Sequence, residues 1–201
     1  MRFIPIIMLY VFCYVSTAQS TYTNGTLRSS GKIELGLKVG KWKHFYPDGK
    51  PSAELNYKNG LLNGVQKYYS VDGKLIAQEY WKDDLQVDSS WYYYPNGQLE
   101  KKGNFVDGLY DGYWVFYFES GLLKRNGSYK DGLPVDNWIF YFENGKVNQE
   151  GVFNDGKETG LWKYYDESGL QTYEGEWKQG NEIGQWYFFK KGKKKKWKNF
   201  D

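Results

Sequence analysis

The stretch YEGEWKQGNEIGQW, residues 173–186, is one copy of a pattern that fills most of the chain. Looser copies are GVFNDGKETGLW at residues 151–162 and NGSYKDGLPVDNW at residues 126–138. Glycines recur at a period of 24 residues, at Gly25, Gly49, Gly73, Gly97, Gly121, Gly145 and Gly169. A fixed period of this length is the signature of a repeat architecture. We therefore predict an array of about seven repeats.

Turn signals occur twice in every repeat. Asn, Asp or Ser precedes each of these glycines, and Asn-Gly or Asp-Gly between strands predicts a two-residue type I′ turn in which both residues have positive φ. A second set of turn residues follows, at Gly36, Gly60, Asp84, Gly108, Gly132, Gly156 and Gly180. A third set lies four residues later, at Gly40, Gly64, Asp88, Gly112, Asp136, Gly160 and Gly184. Two turns per repeat predict an all-β fold, an elongated single-layer antiparallel β-meander of β-hairpins with about fourteen strands.

Pairing across a two-residue turn at Asp48-Gly49 places Trp42 opposite Leu55 and Tyr46 opposite Pro51. The same pairing sets later tryptophans beside strand glycines, Trp114 with Gly127, Trp138 with Gly151 and Trp162 with Gly175. An indole can lie across a glycine because no side chain obstructs it. We expect these tryptophans to cover the glycines opposite them, on a core face that also carries Phe116, Phe140, Leu75, Leu99, Leu123, Trp81, Phe105, Tyr129, Phe153 and Trp177.

The opposite face carries a column of tyrosines, one at the middle of each first strand. Its candidate binding residues are Tyr69, Tyr93, Tyr117, Tyr141 and Tyr165. A tyrosine offers a flat ring and a hydroxyl, so this tyrosine column could hold a sugar chain, lipid headgroups or a peptide. The alternative is that the rings pack on cross-strand neighbours and only stiffen the sheet.

The repeat resembles the MORN (membrane occupation and recognition nexus) repeat, whose Tyr-Glu-Gly-x-Trp-x-x-Gly core matches residues 173–180. The resemblance covers almost all of residues 22–189. The period is one residue longer than is usual in the family, and a tryptophan after the third glycine replaces its common ending. This resembles the bacterial variant subclass, some members of which are labelled antitoxin-like. The resemblance implies an elongated sheet of hairpins that acts as a scaffold, dimerises, and is proposed to bind phospholipid.

The N-terminus has the form of a secretory signal peptide. Arg2 precedes an apolar run over residues 3–15, and small residues at 16–18 predict cleavage between Ala18 and Gln19. The run is shorter than the roughly 20 residues that span a bilayer, although a retained anchor is the alternative. We expect a protein that is secreted, periplasmic or in the cell envelope. Because Cys13 is the single cysteine, the mature chain would form no disulfide.

Residues 190–201 form a lysine-rich end after the repeat array of residues 19–189. With one residue deleted, this segment continues the repeat, with Phe200 in the place of Trp177. It would then be a fifteenth strand at the open edge of the sheet, where lysines prevent pairing with other chains. The alternative is a tail whose lysines attract anionic lipid.

The repeat body favours binding over catalysis. It has no basic stripe, so we expect no nucleic-acid partner. His44 is the single histidine and takes a position that aromatic residues fill elsewhere, so we expect no enzyme, metal site or cofactor. One irregularity stands out, because Gln66 and Ser90 replace tryptophan in the second and third repeats. It is either a local binding site or drift within a tolerant array.

The sequence thus predicts an exported, non-catalytic binding or scaffold protein that presents an aromatic-rich sheet to an envelope component. We expect a protein partner first, with anionic lipid or a glycan as alternatives, and a homodimer is compatible with the pattern. The second functional hypothesis is an antitoxin-like inhibitor of a partner toxin.

Overall fold

The computed structural model describes residues 15–201, which form one open antiparallel sheet in meander order. Each strand pairs with the next along the chain, so the predicted all-β hairpin meander is confirmed. The strands are β1 (Val15–Thr21), β2 (Leu27–Glu34), β3 (Leu37–Phe45), β4 (Pro51–Lys58), β5 (Leu61–Leu62), β6 (Gly64–Tyr69), β7 (Leu75–Lys82), β8 (Leu85–Tyr93), β9 (Leu99–Val106), β10 (Leu109–Tyr117), β11 (Leu123–Lys130), β12 (Leu133–Tyr141), β13 (Val147–Asn154), β14 (Lys157–Tyr165), β15 (Gln171–Lys178), β16 (Asn181–Lys190) and β17 (Lys193–Phe200).

The strand count agrees with the repeat. β5 and β6 both pair with β4 and are two parts of one strand, so β2 to β16 supply the predicted fourteen strands. The lysine-rich end adds the expected fifteenth strand, β17, in which Phe200 pairs with Gly184 as Trp177 pairs with Gly160. β1 is a further strand that the repeat pattern did not predict.

The turn at the first glycine of each repeat differs from the prediction. It is a three-residue loop, in which the Tyr46 N–H donates to the Lys50 carbonyl at 2.8 Å and the Gly49 N–H donates to the Tyr46 carbonyl at 2.9 Å. Only the glycine has positive φ, at 84° in Gly49. The Asp48 carboxylate instead accepts the Lys50 N–H, as Asp commonly does in type I turns. The prediction that Tyr46 lies opposite Pro51 is therefore wrong, since Phe45 takes that place, whereas Trp42 opposite Leu55 is confirmed.

The second turn is the one with type I′ geometry. Asp107 and Gly108 both have positive φ, 50° and 80°, and the same pair of angles recurs at this turn in the other repeats. The turn also ties neighbouring repeats together. The Gly132 N–H, for example, donates to the Tyr110 carbonyl of the preceding hairpin at 2.9 Å.

The third glycine set marks a β-bulge. Along β11, Asn126 pairs with Ile139 and Ser128 pairs with Val135, so three residues of β12 lie opposite the single residue Gly127. The bulge begins at Asp136, which has φ of 61°. Bulges bend a strand and increase its local twist. Here the bend carries the side chain of the next tryptophan across the neighbouring strand.

This bulge corrects the predicted contact between tryptophan and glycine. Trp138 pairs with Gly151 as expected, but its indole lies over Gly127 on the other side, where an added Cβ would overlap the ring. The Trp138 Nε1–H donates to the Ser128 carbonyl at 3.1 Å. The same covering of the preceding strand occurs for Trp42 over Gly31, Trp114 over Gly103, Trp162 over Gly151 and Trp186 over Gly175. We call these five indoles the tryptophan ladder.

The tryptophan ladder forms the core. Its five side chains are 4% exposed or less, and Phe105, Phe116, Ala53 and Ala77 are buried beside them. Rings join one repeat to the next, since Tyr129 meets the Trp138 ring edge-on at 5.0 Å and also contacts Tyr110 of the preceding strand. The predicted core face is therefore confirmed, and we call it the ladder face.

In the two repeats without a ladder tryptophan, a larger residue replaces the glycine of the preceding strand. Gln66 takes the tryptophan position next to Leu55, and Ser90 takes it next to Glu79, where glycines occur elsewhere. Both replacements are 0% exposed. The Gln66 amide donates to the Asn56 carbonyl at 3.1 Å, which is the position that the ladder indoles use. A large residue on one strand is thus matched by a smaller one on the next.

The two ends of the sheet differ in charge. Of the predicted signal segment, residues 1–14 lie outside the described residues, and residues 15–18 form the first part of β1, paired with residues 31–34. At the other end the β17 lysines are exposed, and Lys194 forms an ion pair with Glu174. Residues 15–201 contain no helix long and apolar enough to cross a membrane.

Candidate functional site

The tyrosine column lies on the face opposite the ladder, which we call the tyrosine face. All five predicted residues, Tyr69, Tyr93, Tyr117, Tyr141 and Tyr165, are half-buried and come at the ends of the first strands of successive hairpins. The Tyr165 hydroxyl donates to the Glu150 carboxylate at 2.7 Å, which fixes the ring toward the preceding strand. The column therefore contributes ring faces and hydroxyls to a surface that it shares with polar residues.

Burial is the main influence on the pKa of two phenols of the column, Tyr69 and Tyr165. It raises the pKa of Tyr165 to about 12, with the hydrogen bond and charge of Glu150 acting in the same direction. Burial also raises the pKa of Tyr69, again with a carboxylate, Glu54, nearby. The raised pKa of Tyr69 and Tyr165 keeps these two phenols neutral at physiological pH, so they act as hydrogen-bonding groups.

Open clefts lie beside the tyrosine column at equivalent positions of different repeats. The first, of about 410 Å³, is lined by Lys41, Glu54, Asn56, Val65, Lys67, Gln78 and Tyr80. The second, of about 310 Å³, is lined by Ser89, Ser90, Trp91, Lys102, Gly103, Asn104, Tyr113 and Val115. The third, of about 460 Å³, is lined by Asn137, Trp138, Ile139, Glu150, Gly151, Val152, Leu161 and Lys163. The fourth, of about 440 Å³, is lined by Leu161, Glu174, Gly175, Glu176, Ile183, Gly184, Gln185, Tyr187 and Lys194.

The clefts follow from the bulges. Lys41, Ser89 and Asn137 start the first three clefts and are separated by two repeats each, while the fourth cleft comes one repeat after the third. Each of these residues follows the positive-φ residue of a bulge, where the strand bends and the residue in the ladder position, an indole after Lys41 and Asn137 and Ser90 after Ser89, turns to the other face. One backbone feature thus builds the ladder on one face and the clefts on the other.

Rings and apolar side chains separate the clefts. Tyr80 and Trp91 meet edge-on at 6.2 Å between the first and second clefts. Tyr113 is 59% exposed and stands between the second and third, and Leu161 is shared by the third and fourth. Flat or apolar platforms therefore alternate with polar clefts along the sheet.

Three of the five lysines that line the clefts are paired with carboxylates, whereas Lys67 and Lys102 have no ion pair within residues 15–201. Lys41 lies 3.2 Å from Glu54 in the first cleft, and Lys163 lies 3.8 Å from Glu150 in the third. In the fourth, Lys194 pairs with Glu174, and hydrogen bonds from Lys194 and Gln171 lower the pKa of that carboxyl against the opposing effect of burial. Paired charges favour a ligand without a strong net charge.

Apart from Ser90, the cleft residues are functional candidates that the sequence did not single out as such. Their columns are mixed, since one holds Lys41, Ser89, Asn137 and Leu161 and another holds Glu54, Lys102, Glu150 and Glu174. The available signal was the third glycine set, whose positive-φ residues produce the bulges.

A second polar group lies on the ladder face at the interruption. The Glu79 carboxylate accepts the Trp81 indole N–H at 2.8 Å and the Tyr92 hydroxyl at 2.9 Å. The Gln86 amide donates to the Tyr92 hydroxyl at 2.7 Å and to the Ser90 hydroxyl at 3.1 Å. Because these groups satisfy one another, the interruption forms an internal polar network in place of an indole.

Comparison with known proteins supports the nature of the repeat. A family model described as the MORN repeat variant matches residues 38–59, 92–107 and 137–155. Each matched MORN stretch includes a first-glycine turn and parts of the two strands around it. Such repeats indicate a binding or scaffold role.

Solved structures resemble the chain only weakly. A chain of the crystal structure of TcdB2-TccC3-Cdc42 is 12% identical with a TM-score of 0.25, and one of TcdB2-TccC3 is 12% identical with a TM-score of 0.21. Each match covers 87% of this chain, which spans 13% of the length of those chains. A search of curated proteins found no match.

Proposed function

We propose that this MORN-repeat protein is an exported, non-catalytic binding or scaffold protein, and that the tyrosine face is its binding surface. The observation that carries the proposal is the row of open clefts at equivalent positions beside the tyrosine column. A site that recurs at a fixed spacing engages an extended partner at several points, and the effective concentration of the later contacts raises its affinity.

The contrast between the faces supports this choice of surface. On the ladder face the five ladder indoles are buried, and four of them donate to backbone carbonyls, as Trp114 does to Asn104 at 3.0 Å; the exposed rings of this face, Tyr173 and Trp197, lie at its C-terminal end. On the tyrosine face Tyr113 and Leu161 remain about half exposed or more. Exposed apolar groups mixed with polar ones are typical of recognition surfaces.

The export part of the proposal rests on the small residues before Gln19. Cleavage there would remove Val15 to Ala18 and leave Gln19, Ser20 and Thr21 on β2. We expect secreted material to begin at Gln19, as measured by intact mass. A mass that includes residues 1–18 would instead indicate an anchored protein.

A matched pair of variants tests the binding surface. Tyr113 on the tyrosine face and Tyr173 on the ladder face are both exposed, at 59% and 39%. Immobilised wild-type protein is incubated with the cell-envelope fraction and, separately, with cytosol. We expect Tyr113→Ala to lose the captured envelope material and Tyr173→Ala to retain it, with both variants folded by circular dichroism.

Equal loss in both variants, or loss only in Tyr173→Ala, would contradict the proposal. Capture of a cytosolic protein by the wild type, with no envelope partner, would instead favour the antitoxin-like inhibitor.

A further inference from the structure

We infer that the ligand of the tyrosine face is an extended, uncharged, β-linked polysaccharide that lies across the strands, with about two sugar units per repeat. This inference rests on the proposed function and names the chemistry of the ligand. It follows from the spacing of the clefts, the side chains that separate them, and the pairing of their charges.

The spacing of the clefts favours a ligand whose own repeating unit is about 10 Å long. Neighbouring strands lie about 4.8 Å apart, so a two-strand repeat advances about 10 Å along the sheet. Lys41, Ser89 and Asn137 fall two repeats apart, and the fourth cleft falls one repeat after the third, so clefts recur at multiples of this distance. The two-sugar unit of an extended β-1,4-linked glycan has nearly the same length. A two-residue unit of a β-strand is about 6.7 Å long and does not match this spacing.

The alternation of platforms and clefts fits a pyranose chain. A sugar ring has an apolar C–H face, which packs on an aromatic ring, and an edge of hydroxyls, each of which both donates and accepts hydrogen bonds. Tyr113 offers an exposed ring between the second and third clefts, and the half-buried rings of Tyr80 and Trp91 lie between the first and second. Amide side chains such as those of Asn104, Asn137 and Gln185 line the clefts between these rings.

The charge pairs argue for a neutral chain. A phosphate-rich or carboxylate-rich polymer would need a clear excess of cations, but the five lysines that line the four clefts stand beside four glutamates, and Lys41, Lys163 and Lys194 are already paired with three of these. A neutral hydroxyl can bridge such a pair, accepting from the ammonium and donating to the carboxylate. The sheet twist rotates successive clefts, and a glycan follows it by small rotations at each linkage.

A proline-rich polypeptide in the polyproline II conformation is the competing occupant. Its three-residue turn is about 9.3 Å long, close to the repeat, and such peptides bind aromatic grooves. The proline rings, however, offer no donors to the carboxylates and amides of the clefts. The observations therefore favour the glycan, and oligoproline enters the test as the competing probe.

Titration calorimetry with soluble oligosaccharides tests the inference on the full secreted chain. The probes are cello- and chito-oligosaccharides of two to eight sugars, with malto-oligosaccharides as curved α-linked controls and oligoproline as the peptide control. We expect affinity for one of the β-linked series to rise with length, and Tyr113→Ala to weaken binding about tenfold. Tyr173→Ala should bind as the wild type does.

The outcomes separate this inference from the proposed function. If no β-linked probe binds while Tyr113→Ala still abolishes capture of envelope material, the glycan inference is wrong and the binding surface stands. If oligoproline alone binds, the glycan inference is likewise wrong and the binding surface stands. If the β-linked probes bind but Tyr113→Ala and Tyr173→Ala weaken them equally, both the inference and the assigned surface are overturned.

Discussion

The same bulge, repeated along the chain, shapes both faces of this sheet, yet the two faces differ in how exposed their large side chains are. On the ladder face each indole covers a glycine, and Trp114 is 0% exposed. On the tyrosine face the bent strands leave clefts, and Tyr113, the residue just before Trp114, is 59% exposed. One backbone irregularity, repeated along a chain, can therefore direct large side chains into a core on one side and leave clefts for binding on the other.

The largest expected effect comes from removing an indole. Trp138→Ala should lower the free energy of unfolding by about 3–5 kcal/mol, since it deletes a large buried ring over Gly127. Ile139→Ala is the matched control, because Ile139 is the next residue and faces the third cleft. Its loss should be well below that of Trp138→Ala. Urea unfolding of both variants measures the difference, and similar losses would show that the two faces do not divide in this way.

An intermediate effect is expected from repairing the interruption. Ser90→Trp alone should destabilise the protein, because the new indole would overlap Glu79. Adding Glu79→Gly should recover part of that loss, since the indole could then lie on a glycine as in the other repeats. A double-mutant cycle should give a favourable coupling of about 1–3 kcal/mol. If the two effects were additive, residues 79 and 90 would not be in contact in the way that Gly127 and Trp138 are.

The smallest effect concerns alkaline pH and compares one phenol from each face. Burial, with Glu79 nearby, raises the pKa of Tyr68 to about 12, and burial with the Glu150 hydrogen bond does the same for Tyr165. A raised phenol pKa means that the fold favours the neutral form. Its contribution to stability is therefore complete below the unfolded value near 10, and is lost as pH rises from about 10 to about 12.

Thermal melts across this pH window check the prediction. Tyr68→Phe and Tyr165→Phe should each reduce the fall in melting temperature, because a phenylalanine has no proton to lose. An unchanged fall in both variants would contradict the role of these two phenols.

Much of the fold followed from glycine spacing. The period, the two turns per repeat, the ladder face and the added strand with Phe200 were all predictable, since turns and alternation are local properties. The turn types were assigned to the wrong glycine sets. Asn or Asp before glycine suits both a type I′ turn and a type I turn with a glycine bulge, and the first set adopts the second form.

The binding face was predictable only in part. The tyrosine column could be seen because one residue type recurs, and its role in binding stays a prediction. The clefts could not be seen, because the bulge that opens them depends on how Asp136 and its equivalents bend the strand between two neighbours. For the same reason the sequence placed the Trp138 indole over Gly151 and not over Gly127.

The most direct test of the division between the faces is the chemical protection of two tyrosines in the wild-type protein. Tyr113 and Tyr173 are nitrated and quantified by mass spectrometry, with and without saturating partner or oligosaccharide. We expect ligand to protect Tyr113 on the tyrosine face and to leave the nitration of Tyr173 on the ladder face unchanged. Protection of Tyr173 with no change at Tyr113 would place binding on the wrong face and contradict the account.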